Sequence, residues 1–98
     1  MKKEDIKVNE NYWLIPSDLS GRAMYVKCVL LKNRLFKYKA TNRDWDNYGD
    51  LNTIKDSLFL TSKEANRELC KRILAGEQHF MSLEDVNKLK QEFPECFL

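Results

Sequence analysis

Up to residue 60 the apolar and polar positions alternate in short runs, and after it the apolar positions recur three or four residues apart. The first pattern reads as strands and the second as amphipathic helices. Asn11-Tyr12-Trp13-Leu14-Ile15 is rich in side chains that suit a pleated surface, and Pro16-Ser17-Asp18 stops it. The longest strand is predicted over residues 22–31, and Leu35-Phe36-Lys37-Tyr38-Lys39-Ala40 alternates apolar with basic as a half-buried strand does. A three-residue loop, Lys32-Asn33-Arg34, joins the two, with Asn33 in the left-handed region that asparagine tolerates. That loop sets Leu30, Cys28 and Val26 opposite Phe36, Tyr38 and Ala40 on one face. Val29 and Lys27 then oppose Lys37 and Lys39 on the other. A two-residue loop would put Cys28 against Lys37 and mix the faces, which the period of two forbids.

Residues 42–56 are turn-rich, with a short strand expected near Tyr48 or Leu51, and residues 57–60 read as a last short strand. Thr61-Ser62-Lys63-Glu64 is a capping box, in which the Thr61 hydroxyl and the Glu64 carboxylate each satisfy a free amide. The helix it opens carries Ala65, Leu69, Ile73 and Leu74 on one stripe and stops at Gly76. Ser82 with Asp85 caps a second helix whose inner face is Leu83, Val86, Leu89 and Phe93, ended by Pro94. Phe97 and Leu98 are expected to fold back onto the sheet.

A strand entered from Lys7 through Ile15 ("KVNENYWLI"), a long hairpin, and a strand running straight into a helix ("LFLTSKEA") resemble the small SH3-like barrels of phage and mobile-element proteins. Phe59, Thr61, Glu64 and Ala65 carry the match, which covers residues 7–75. The glycine usual before the first strand is missing, so Asn9 or Asn11 would make that turn. The resemblance implies a fold and brings no catalytic site with it. Residues 1–98 are therefore expected to form one α+β domain. Residues 1–60, mainly β, would make a small twisted antiparallel sheet or SH3-like barrel of four to five strands, and residues 61–98 would add two short helices.

Charge sharpens this outline. The chain carries 17 basic and 15 acidic residues, a net +2, but the two parts differ. Residues 1–60 hold 11 Lys and Arg against 8 Asp and Glu, a net +3, and residues 61–98 hold 6 against 7. Residues 19–43 contain Arg22, Lys27, Lys32, Arg34, Lys37, Lys39 and Arg43 and no acid. No apolar run reaches the roughly 20 residues needed to span a bilayer, so no membrane contact is expected. The opening Met1-Lys2-Lys3-Glu4-Asp5 has no apolar stretch behind its lysines. With three cysteines (Cys28, Cys70 and Cys96) far apart, this points to a reducing cytoplasm and to cysteines that pack.

Catalytic and metal-binding patterns are missing. His79 is the single histidine, which excludes paired-histidine metal sites, and a Cys–His nucleophile would need it beside Cys28, Cys70 or Cys96. Gly21, Gly49 and Gly76 stand alone, so no phosphate-cradling loop is present. Asp44, Asp46 and Gly49 match three positions of a calcium loop, but Tyr48 and Lys55 occupy two others that need oxygen ligands. Residues 44–50 thus read as a solvated turn. No enzyme activity and no cofactor are expected.

The remaining candidates bind partners. Lys27, Lys32, Arg34, Lys37 and Lys39 form a basic stripe along the hairpin, and Lys27 facing Lys39 costs stability that a polyanion or an acidic surface would offset. Two plainer roles compete with this reading. The lysines could guard the strand against edge pairing, or Asp44, Asp46 and Asp50 could neutralise them. Trp45 and Tyr48 either supply exposed aromatic contact area or, for Trp45, plug an end of the sheet. On helix 61–76, Lys63, Arg67 and Lys71 form a solvated row, with Glu68 and Arg72 an i, i+4 pair. The expected role is a non-catalytic module docking on a larger protein or nucleoprotein, of which a phage-type inhibitor of host defence (anti-CRISPR-like) is one form. The alternative is direct RNA or DNA binding, with Trp45 and Tyr48 stacking on bases.

Overall fold

The computed structural model describes residues 1–41, 43–76 and 81–96. Among these, five strands are present: β1 (Asn11–Leu14), β2 (Met24–Lys32), β3 (Leu35–Ala40), β4 (Asp46–Asp50) and β5 (Leu58–Phe59). Three α-helices, α1 (Leu51–Ile54), α2 (Ser62–Leu74) and α3 (Leu83–Glu92), join 3-10 turns at Lys3–Asp5, Lys55–Ser57 and Pro94–Cys96. The strands pair antiparallel throughout in the order β4-β3-β2-β1-β5, leaving β4 and β5 as the two edges of an open sheet. The α+β architecture of a small antiparallel sheet followed by helices is the one the apolar periodicities predict. Expectations for His79, Phe80, Phe97 and Leu98 lie outside the described residues.

The hairpin follows the predicted register in its inner half and departs from it near the tip. Val26, Lys27 and Cys28 oppose Ala40, Lys39 and Tyr38 as expected. Beyond them the register shifts between Cys28 and Leu30, and Leu30, Leu31 and Lys32 oppose Lys37, Phe36 and Leu35. The loop is therefore the two-residue Asn33-Arg34, with Asn33 at φ 56°. Val29 is the extra residue of a β-bulge, which lets a short loop and a clean separation of faces coexist. Leu31 instead of Leu30 now points to the core with Phe36, and Leu30 is 38% exposed. Asn9, at φ 71°, makes the left-handed turn before β1, and its amide donates to the Cys28 carbonyl at 2.8 Å.

Alternate side chains of β1 and β5 divide between two cores. Tyr12, Leu14 and Leu58 join Val26, Cys28, Phe36, Ala40, Leu51 and Ile6 on one face. Trp13 and Phe59 pack on the other against Ile15, Leu19, Ala65, Leu69, Cys70, Leu89 and Phe93. The β1–β5 side of the sheet is thus buried on both faces, each fully buried aliphatic contributing roughly 1.5–3 kcal/mol. Tyr12 keeps its hydroxyl satisfied, accepting from the Lys7 amide at 2.8 Å. Asn66 is the buried polar side chain among the described residues, and its Oδ1 accepts from the Ala23 amide at 3.0 Å, joining α2 to the start of β2.

Helix ends follow their caps. Thr61 Oγ1 accepts from the Glu64 amide at 3.2 Å and donates to the Glu64 carboxylate at 3.0 Å, so the box closes through the hydroxyl. Ser82 Oγ accepts from the Asp85 amide at 3.2 Å, and Gly76 sits at φ 90° past the end of α2. Arg72 does more than pair with Glu68 at 3.4 Å. It also donates to Ser57 Oγ at 3.0 Å and to the Asp56 carbonyl at 2.9 Å, clamping α2 to the turn before β5. Two predicted inner residues are exposed instead. Leu74 lies off the Ala65–Leu69–Ile73 stripe, and Leu83, 76% exposed, opens α3 before the helix meets the core. The short strand expected near Tyr48 is β4, Asp46–Asp50, and Asp50 caps α1 by accepting from the Asn52 amide at 3.0 Å. Among the described residues no helix is long and apolar enough to cross a membrane.

Candidate docking surface

Side chains two residues apart on a strand share a face, so the face that carries Trp13 and Phe59 beneath the helices continues across β2, β3 and β4 as an open surface. The tilted ring pair Trp13–Tyr25, 4.9 Å between centroids, sits next to the helix-packed residues, and Tyr25 is itself exposed. Beyond it the strand register sets out rows. Asn11, Lys27, Lys39 and Asp46 form one; Leu30, Lys37 and Tyr48 the next; Lys32, Leu35 and Asp50 the last. The predicted one-sided emergence of the hairpin cations is realised, Lys27, Lys32 and Lys39 being exposed and Lys37 half-buried.

β4 supplies the counter-charges. Asp46 bridges Lys37 at 3.4 Å, and Asp50 bridges Arg34 at 2.7 Å. The Asp46 carboxylate, helped by Tyr48, holds the Lys37 ammonium above its ordinary range. The Arg34 guanidinium, with the Asn52 amide, holds the Asp50 carboxyl below the usual carboxylate range. Two of the five cations of the predicted stripe, Arg34 and Lys37, are therefore neutralised by aspartates of β4. Lys27, Lys32 and Lys39 have no ion-pair partner among the described residues. Lys27 and Lys39 are direct cross-strand partners, an arrangement that repels. A shallow cleft of about 210 Å³ lies between them, with Asn11, Ala40 and Thr41.

The aromatic residues flank these cations and stand out from the fold. Trp45 is 57% exposed and Tyr48 63%, so Trp45 is not a plug closing the sheet. The reason is positional: Trp45 precedes the first residue of edge strand β4, with no element packed beyond it. Each aromatic carries a cation over its ring, Arg43 at 5.1 Å from Trp45 and Lys37 at 5.4 Å from Tyr48. Such a contact is worth about 0.5–1 kcal/mol at an exposed site and biases the ring toward one orientation. Arg43, Leu30 and Leu35 were not among the site residues predicted from sequence. Arg43 belongs to the acid-free block, but only the turn geometry shows that it reaches Trp45, and the bulge at Val29 turns Leu30, inward by simple alternation, out to this face.

Among the described residues no three His, Cys, Asp or Glu side chains converge to hold a metal ion. Of the aspartates in the calcium-like spacing Asp46 is engaged by Lys37, and Gly49 lies inside β4 instead of at a loop bend. Cys28 and Cys70 are buried free thiols and Cys96 a half-buried one. Arg67 of the predicted helix row bonds Glu95 at 3.3 Å and stacks on Phe93, while Lys63 and Lys71 are exposed. Comparison of the chain with protein-family models, curated proteins and solved structures gives no match.

Proposed function

We propose that this protein is a non-catalytic binding module that docks on a larger protein, or on a nucleoprotein, through the open part of its sheet. The observation that carries this reading is the Lys27–Lys39 pair. Two cations face each other, neither in an ion pair among the described residues, on a surface flanked by two exposed aromatics, each with a cation over its ring. An acidic partner surface removes the repulsion, and Trp45, Tyr48, Leu30 and Leu35 supply the apolar anchors that protein interfaces use. Asp46 and Asp50 on the same face pair with Lys37 and Arg34, which leaves fewer free cations than a surface built for a bare polyanion presents and favours a protein. The three free cysteines suit a reducing cytoplasm. The role of a phage-type inhibitor of host defence, and the SH3-like kinship behind it, rest on the "LFLTSKEA" resemblance.

Two measurements test the proposal together. Titration with single-stranded and duplex nucleic acid at low salt should show no binding. A direct nucleic-acid binder would instead lose affinity with a log–log salt slope of about −0.9 per phosphate neutralised. Affinity capture from the native host is then compared between the wild type, the K27E/K39E double variant and a helix-face control, K63E/K71E. The reading requires a partner that the control retains and the sheet variant loses. A partner retained equally by both variants rejects this surface.

A further inference from the structure

A second feature lies where α1 and the residues after β1 meet the inner side of the strands: a half-open cavity of about 330 Å³, whose lining includes Tyr48 and Asp50 of the docking surface. That is the lower end of the range for small-ligand sites, roughly 300–1,000 Å³. Leu14, Met24, Tyr38 and Ile54 give it an apolar lining, and Asp18 and Thr53 stand among its polar groups. Gly49 helps to form it: a Cβ there would lie 2.9 Å from Ile54 Cδ1, so the missing side chain lets Ile54 seat against β4 as a wall.

The polar groups specify the ligand's charge. No lysine or arginine is among the described residues lining the cavity, so nothing there would hold an anion. Asp50 is already engaged by Arg34 and by the Asn52 amide. Asp18 accepts from the Ser20 amide at 3.1 Å and has no cation beside it among the described residues. Tyr38 is half-buried, and its hydroxyl has no hydrogen-bond partner among the described residues, although its ring lies 5.5 Å from that of Phe36. An aromatic wall, aliphatic walls and one unpaired carboxylate together match a flat apolar body with a positive end.

We infer that this cavity binds a small aromatic amine, with the ring against Tyr38, Leu14, Met24 and Ile54 and the ammonium at Asp18. The test is an amide-resolved NMR titration of the full chain with tryptamine, indole and indole-3-acetate, three probes that share a ring and differ in charge. Tryptamine should perturb the amides of the cavity residues and bind about tenfold more tightly than indole-3-acetate, a difference of about 1.4 kcal/mol. Asp18→Asn, which keeps an oxygen to accept from the Ser20 amide, should erase that preference. Ile54→Val, which enlarges the cavity without crowding it, should alter the affinity for indole. The inference is overturned if none of the probes perturbs these amides at about 5 mM. Equal binding of the amine and the acid, or a preference that survives Asp18→Asn, overturns it as well.

Discussion

Asp46 stands directly across from Lys39 but bridges Lys37, the diagonal neighbour, at 3.4 Å. The choice leaves Lys39 facing Lys27 and turns a uniform basic stripe into a neutral part and a cationic part. Replacing Asp46 with Asn should release Lys37 and bring its pKa back toward the ordinary value. It should also strengthen any association with polyanions. Lysine-selective NMR titration of the Nζ resonances checks the first effect and a nucleic-acid titration the second.

The Arg34–Asp50 contact predicts an acid-side signature. Because the folded state lowers the Asp50 pKa below its ordinary value of 3.8, its contribution is complete above that value. It is lost as pH falls through the lower, folded pKa. Asp50→Asn should therefore flatten the fall of stability on acidification and weaken the α1 cap. Urea unfolding of both forms at about pH 6 and about pH 3 measures the difference.

On the alkaline side the signs reverse. Burial pushes the Cys70 thiol from 9.0 up to about 11, and it also raises the Cys28 thiol and the Tyr12 hydroxyl. All three are neutral when folded and ionise more readily when unfolded, so their contribution is complete below about pH 9 and declines as pH rises toward the folded values. Denaturation midpoints should fall over that window. In native protein the half-buried Cys96 should react quickly with a thiol reagent, while Cys28 and Cys70 should wait for unfolding.

The seat of Ile54 on Gly49 makes a coupled pair. Gly49→Ala should destabilise only slightly, by about 1 kcal/mol or less, because the atom its Cβ would meet at 2.9 Å is Cδ1, the free end of the half-buried Ile54 side chain, which can turn aside. Ile54→Val removes that carbon and leaves contacts of 3.7 and 3.8 Å, so the double variant should recover part of the loss. A double-mutant cycle by urea denaturation reads the coupling, and additive effects would contradict the geometry.

Asn66 links the helical layer to the sheet. Asn66→Ala should cost about 1–3 kcal/mol, because the Ala23 amide would be left without the acceptor it now has at 3.0 Å. Asn66→Asp, which retains an acceptor oxygen but buries a charge, should be rescued only at low pH. Thermal unfolding of both variants against pH distinguishes the lost bond from a lost shape.

The order of strands before helices, the caps at Thr61 and Ser82, the left-handed turns at Asn9 and Asn33, and the pairing of Val26 to Cys28 with Tyr38 to Ala40 were all legible in the chain, because each depends on neighbours a few residues apart or on the period of two. The emergence of Lys27 and Lys39 on one side followed from the same alternation. Where propensity and tertiary contact disagreed, the reading failed. The bulge at Val29 answers to the need for both Leu31 and Cys28 to reach the core, which alternation alone does not reveal, whereas the short strand expected near Tyr48 is present because β3 offers residues 46–50 an edge.

Local order therefore belongs to the sequence: alternation, capping groups and left-handed asparagines act within one or two turns of chain, and they determined an α+β domain with a basic hairpin. Only the tertiary structure decided which cations keep their charge unpaired, that Trp45 stays in solvent, and that a cavity lies beneath α1. Those outcomes depend on groups brought together across strands and layers, such as Asp46 with Lys37 or Gly49 with Ile54, whose distances no local pattern encodes.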